Sequence, residues 1–265
     1  MTGIPRGGLT VAAALLDGFP NTVCINHPVW QLRKAAEIDS AELYCDKIIR
    51  DFDYRRQQLL SKDPIADIRA TDGSPVLDGL HDFRQPYDEA GQRAFIAFTR
   101  DGLSDDFSLA MKQHVLYTAL LPALIATRHF AVIAVIRHPL DVMISWLKQS
   151  GQRAFAQGKL ADDFKPFWPE AAHISHNWPR MQRMLALYDS FCQRYYDARH
   201  AINILKYEEL VENPSLMATL IGAREESKSA LHIDEKQRVY QASVADEIRS
   251  AIKAHTTYAK YFYTV

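Results

Sequence analysis

Residues 130–149 read FAVIAVIRHPLDVMISWLKQ. Phe130 to Ile136 is an unbroken apolar run rich in β-branched residues. Such a run describes a strand covered on both faces, as in a parallel sheet. Arg137 and His138 end it. Pro139 suits the first turn of a helix, and Asp141 places negative charge near that helix's amino end. The stretch therefore predicts a buried strand, a tight turn and a helix.

The same alternation extends outward from it. Downstream, WPRMQRMLALYDSFCQRYYDARH is a long amphipathic helix, AINILKY a second buried strand, and residues 215–265 are mostly helical in pattern. Upstream, HVLYTALLPALIATR reads as a helix that Pro122 bends or divides. RAFIAFTR and FSLAMKQ are candidate strands, and DPIADIRATDGSPVLDG, rich in Pro, Gly and Asp, reads as loop. Residues 29–62 have helical periodicity and dense charge. At the amino end NTVCIN is a short strand, preceded by the helix TVAAALLDGF, and only Met1 to Pro5 are left for a first strand. Strands alternating with helices predict an α/β fold, a three-layer architecture with a central parallel sheet flanked by helices.

The 265 residues are 48% hydrophobic and 24% charged, enough apolar material for a substantial core. A formal net charge of -1 argues against a surface that wraps nucleic acid. Cys24, Cys45 and Cys192 are scattered, with no pair spaced for zinc or for a disulfide framework. VLYTALLPALIA and FAVIAVI fall short of the ~20 residues that cross a bilayer. The first residues lack a secretory pattern, so a cytoplasmic protein without membrane partners is expected.

Four features fall at the carboxyl ends of strands, where α/β sheets bind ligands. The first is GIPRGGLT, residues 3–10. Its glycine spacing is that of a P-loop, but Leu9 stands where the lysine belongs. Gly7 and Gly8 let backbone N–H groups crowd an anion, Thr10 offers a hydroxyl, and Arg6 brings a cation inside the loop. A plain glycine-rich turn fits the pattern equally well. The second is Arg137 with Ser145 eight residues later; arginine suits bidentate phosphate contacts. The third is MKQH, where Lys112 and His114, two apart, share a face if they lie on a strand. A lysine for developing negative charge and a histidine as general base make a sensible pair. The fourth is His27, at the end of the second strand.

In this order the motifs resemble the sulfotransferases that use 3′-phosphoadenosine-5′-phosphosulfate (PAPS), which have a P-loop NTPase-like fold. PRGGLT is similar to that family's 5′-phosphosulfate loop, usually Pro-Lys/Arg-Ser-Gly-Thr-Thr. VIRHPLDVMISW is similar to its 3′-phosphate element, with Arg137 and Ser145 at the family's separation. ILKYEELVENP is similar to its Tyr-Glu-Asp-Leu element, which would put Tyr207 by the adenine. MKQH is similar to the Lys-Thr-His segment of the cytosolic enzymes. The resemblance covers residues 1–28 and about 108–215.

It implies that Arg6, Gly7, Gly8, Leu9 and Thr10 hold the 5′-phosphosulfate and that Arg137 and Ser145 hold the 3′-phosphate. Lys112 would assist at the sulfuryl group and His114 act as base. In the tyrosylprotein branch the base is a Glu after the second strand, and an ungapped count puts that position on His27; both histidines are candidates. The loop departs from the family at Gly7, usually Ser, and Leu9, usually Thr, and the cytosolic Arg-Lys-Gly segment is missing.

The expected activity is sulfuryl transfer from PAPS to a hydroxyl or amine of a small metabolite or natural product, releasing PAP (3′,5′-adenosine bisphosphate) without a metal. The expected organisation is a single domain over 1–265, with residues 29–107 and 150–180 as acceptor-binding and lid insertions. Two other readings stand beside it: a P-loop small-molecule kinase or NTPase, which Leu9 argues against, and a non-catalytic nucleotide-binding module.

Overall fold

The computed structural model describes residues 1–26, 28–32, 38, 40–76, 94–149, 154–160, 162–223 and 242–264. In chain order its elements are β1 (Thr2–Gly3), α1 (Leu9–Asp17), β2 (Thr22–Ile25), α2 (Val29–Leu32), α3 (Ala41–Leu60), β3 (Ile65–Asp67), β4 (Ile96–Phe98), β5 (Ser108–Met111), α4 (Val115–Ala119), α5 (Leu121–Thr127), β6 (Ile133–Ile136), α6 (Pro139–Leu147), α7 (Pro169–Ala172), α8 (Arg180–Asp197), β7 (Asn203–Lys206), α9 (Tyr207–Glu212), α10 (Leu216–Ile221) and α11 (Ala242–His255). The chain is α/β with parallel strands flanked by helices, as the alternation predicts. It divides into two compact units.

The first unit draws on Met1, residues 9–113 and the stretch that begins at Glu209. β2 and β5 run parallel, with Thr22 opposite Ser108 and Ile25 opposite Met111. α1 buries Leu9, Ala12 to Ala14, Leu15 and Leu16, which is why so small-sided and apolar a helix follows the glycine loop. The carboxyl end of β2 is pinned by a buried ion network. Arg69 chelates both oxygens of Asp17 (2.9 and 3.1 Å) and donates to the Cys24 carbonyl (2.9 Å). Its Nε lies 3.3 Å from Asp67, whose oxygens accept the Asn26 N–H at 2.9 and 3.0 Å. The guanidinium also lies 3.6 Å over the Phe98 ring. Burial works against this charge, but Asp17 and Asp67 outweigh it and hold the arginine above its ordinary pKa.

One expectation fails in this unit. Ile65–Asp67, inside the stretch read as loop, forms β3 and pairs antiparallel with β4, Ile65 opposite Phe98. Three residues between Pro64 and the Asp/Gly-rich turn carry no legible period, and the pairing comes from a strand about thirty residues on.

The second unit draws on residues 2–8, 114–208 and the C-terminal helical segment. β6 is its central strand, parallel to β1 on one side (Thr2 opposite Ala134) and β7 on the other (Ile133 opposite Asn203). All four β6 residues are buried. β1 is two residues long, and both are buried. The helix expected over HVLYTALLPALIATR is divided at Leu120, with Pro122 in the first turn of α5 where its missing N–H costs nothing. α6 opens on Pro139 with His138 as its cap, Nδ1 accepting the Leu140 N–H at 3.2 Å. The core of this unit gathers α6, α8, α11 and β6 around Trp146, Trp168, Tyr188 and Phe191.

Candidate active site

In the second unit the residues after β1 make a tight turn. The Gly7 N–H donates to the Ile4 carbonyl at 2.8 Å, and the buried Trp146 indole donates to the Pro5 carbonyl at 2.8 Å. The Gly7 amide is thus committed inside the turn, contrary to the expectation that it crowds an anion. The same geometry explains the glycine: a Cβ there would lie 2.7 Å from the Ile4 carbonyl oxygen. Arg6 has φ 68°, a left-handed conformation uncommon for a side-chain-bearing residue. Its Nε donates to Ser145 Oγ at 3.1 Å. Two residues expected to serve opposite ends of the donor are therefore bonded to each other.

Arg137 leaves the end of β6 and lies over the Tyr207 ring, 4.4 Å from its centroid. Its Nη2 is 3.4 Å from Asp141. Its Nε is buried and has no hydrogen-bond partner among the described residues, so the guanidinium retains a donor suited to an anion. Tyr207 also touches the loop: a Cβ on Gly8, at φ +93°, would fall 2.1 Å from Tyr207 Cδ2. Only glycine allows both that backbone angle and that approach.

His114 does not lie on a strand. β5 ends at Met111, and His114 is the N-cap of α4, so strand alternation does not pair it with Lys112. It is nonetheless firmly placed. The hydroxyls of Thr2 and Thr118 reach its carbonyl at 2.9 and 2.8 Å, and its Nδ1 is 3.0 Å from the Gly3 carbonyl. A carbonyl only accepts, so Nδ1 carries the proton and the neutral ring keeps its lone pair on Nε2. That is the tautomer a general base needs.

In the first unit Lys112, nearly buried, donates from Nζ to Thr10 Oγ1 at 3.1 Å. A helix-start hydroxyl and an ammonium are thereby held together, an arrangement that suits an anion. His27 lies outside the described residues, as do 33–37, 39, 77–93, 150–153 and 161 within the regions expected to meet the acceptor. Of the aromatic residues in 154–180, Trp168 is buried against Phe191 (4.7 Å) and Phe155 packs on Trp146 (5.4 Å). These rings serve the core, while Trp178 is 38% exposed.

Comparison with known families matches residues 67–219 to the sulfotransferase domain. The chain belongs to the sulfotransferase family. The match takes in Lys112, His114, Arg137, Ser145 and Tyr207 of this sulfotransferase and leaves the loop at residues 3–10 to the geometry above. No curated protein and no solved structure matches it significantly. Among the described residues no helix is long and apolar enough to cross a membrane, and no group of three His, Cys, Asp or Glu is arranged to hold a metal. Sequence reasoning missed the residues that mount these groups, Thr2 and Tyr188 among them, because their roles rest on contacts across more than fifty residues.

Proposed function

We propose that this sulfotransferase moves the sulfuryl group of PAPS to a hydroxyl or amine of a small metabolite or natural product in the cytoplasm and releases PAP. The observation that carries the reading is Arg137: a planar cation laid across an aromatic ring, with Nε unpartnered among the described residues. That combination suits a nucleotide bearing an extra phosphate.

Arg137 and Ser145 then bind the 3′-phosphate, and Tyr207 lies by the adenine. Arg6, the Gly8 amide, Leu9 and Thr10 bind the 5′-phosphosulfate. In the reaction the bond from sulfur to the bridging oxygen breaks, and PAP leaves with the electron pair. A new bond joins sulfur to the acceptor atom, and the base takes the acceptor's proton. Lys112 offsets the charge gathering on the bridging oxygen, and His114 or His27 is the base. Catalysis of such in-line transfer is mostly positioning and electrostatics. Residues 29–60 and Trp178 are assigned to the acceptor.

The test is direct. Titration calorimetry should show binding of PAP in preference to ATP with Mg²⁺; the reverse preference points to a kinase. Labelled PAPS with a panel of hydroxyl and amine metabolites should then transfer label. Lys112→Ala should slow turnover by roughly two orders of magnitude or more. Full turnover in both His114→Ala and His27→Ala would remove the histidine base.

A further inference from the structure

Arg137 is the residue on which recognition of a 3′-phosphate turns, and its backbone is gripped as closely as its side chain. Its carbonyl accepts the Tyr188 hydroxyl at 2.6 Å. The next backbone N–H, that of His138, donates to Glu208 Oε1 at 2.8 Å. The second oxygen of the same carboxylate accepts the Tyr263 hydroxyl at 2.9 Å. The Tyr263 ring stands edge-on to the His138 ring, centroids 5.2 Å apart at 74°. Glu208 thus bridges the Arg137–His138 turn to the C-terminal segment.

That segment is itself fastened. Asp189 on α8 accepts the N–H groups of Thr257, Tyr258 and Ala259 at 2.8–2.9 Å. Tyr261 stacks on Tyr196 of α8 at 4.1 Å. The chain from α11 to Tyr263 therefore has a defined position from which its last tyrosine can act on the turn.

We propose that Glu208 and Tyr263 form a positioning clasp for Arg137, through which the C-terminal segment sets how strongly the enzyme prefers a 3′-phosphorylated donor over the same nucleotide lacking that phosphate. This rests on the assignment of Arg137 to the 3′-phosphate. A guanidinium makes paired hydrogen bonds in a fixed fork, so a small rotation of its turn removes one of them. Adenosine 5′-monophosphate (AMP) lacks the 3′-phosphate and is indifferent to that rotation.

The experiment is the ratio of AMP to PAP dissociation constants by calorimetry, with thermal melting to confirm folding. Tyr263→Phe keeps the ring and removes only the hydroxyl. It should lower the ratio about three- to tenfold, with AMP binding unchanged. Glu208→Ala should lower it further, and Glu208→Gln, which keeps an acceptor for the His138 N–H, should recover part of the loss. Equal weakening of AMP and PAP would overturn the clasp, because general structural support moves both. An unchanged ratio in Tyr263→Phe would also overturn it if Arg137→Ala abolishes the preference. An unchanged ratio in Arg137→Ala would instead overturn the assignment of Arg137 on which the clasp rests. If Glu208→Ala does not fold, Tyr263→Phe alone decides.

Discussion

Gly8 shows how much one missing Cβ can settle. The φ of +93° and the Tyr207 ring both exclude a side chain there. Gly8→Ala should cost about 1–2 kcal/mol in backbone strain alone and push Tyr207 from under Arg137. The expected result is a lower melting temperature and PAP affinity reduced at least about tenfold, read by thermal denaturation and calorimetry. Cysteine behaves differently. Cys24 and Cys45 are fully buried, and burial pushes both thiols up to about 12. At pH 8 roughly one in ten thousand is ionised, so neither can act as a nucleophile. A disulfide reagent at pH 8 should leave both unlabelled in the folded protein and label all three cysteines after urea unfolding. Rapid labelling of the folded chain at either position would contradict the packing.

Among the elements, the join between α1, β2 and β3 depends on Arg69 with Asp17 and Asp67, all buried. Removing the cation takes the nearest counter-charge from two buried carboxylates, with Arg100 left 3.8 Å from Asp17, a change that costs about 3–5 kcal/mol. Arg69→Met should lower the urea midpoint accordingly, and Asp17→Asn with Arg69→Met should recover part of the loss. None of this was readable from residues 63–79, where prolines, aspartates and glycines argue for loop. The strand exists because β4 pairs with it and because Arg69 needs its partners. The β6–α6 join is the opposite case. An apolar run, an Arg–His stop and a proline in the helix's first turn are each local, and the structure has the stop and the proline where the pattern puts them, with the strand starting at Ile133 and not at Phe130. Trp146 adds a check on α6. Trp146→Phe leaves the buried Pro5 carbonyl without its 2.8 Å donor and should cost about 1–3 kcal/mol, measured by chemical denaturation.

For the molecule as a whole, acids buried in neutral form set an alkaline limit. Burial raises Cys24, Cys45 and Cys192 among the thiols, and Tyr188 and Tyr195 among the phenols. In the unfolded chain these groups titrate near 9 and 10. Their folded values are higher, so the unfolded chain gives up its protons first. The stability they confer is complete below pH 9. It is lost as pH rises above that, toward about 12 for Cys24 and Cys45. Each group adds a slope of about 1.4 kcal/mol per pH unit once its unfolded form ionises. Urea midpoints measured from pH 7 to 11 should decline steeply above pH 9, and a flat profile to pH 11 would show that the buried thiols and phenols are hydrated.

The α/β class and the order of strands and helices around β6 were legible in the chain, and motif spacing singled out Arg137, Ser145 and Tyr207 as candidates. Apolar runs, proline placement and motif spacing act over a few residues, and neighbours along the chain are enough to express them. Partners across the fold were not legible. Arg6 and Ser145 are separated by 139 positions, and Glu208 and Tyr263 by 55. The Lys112–His114 spacing suggested one strand face, but β5 stops at Met111 and His114 caps a helix. A hydrogen bond between distant residues depends on where packing brings their backbones, and residue spacing along the chain does not encode that position.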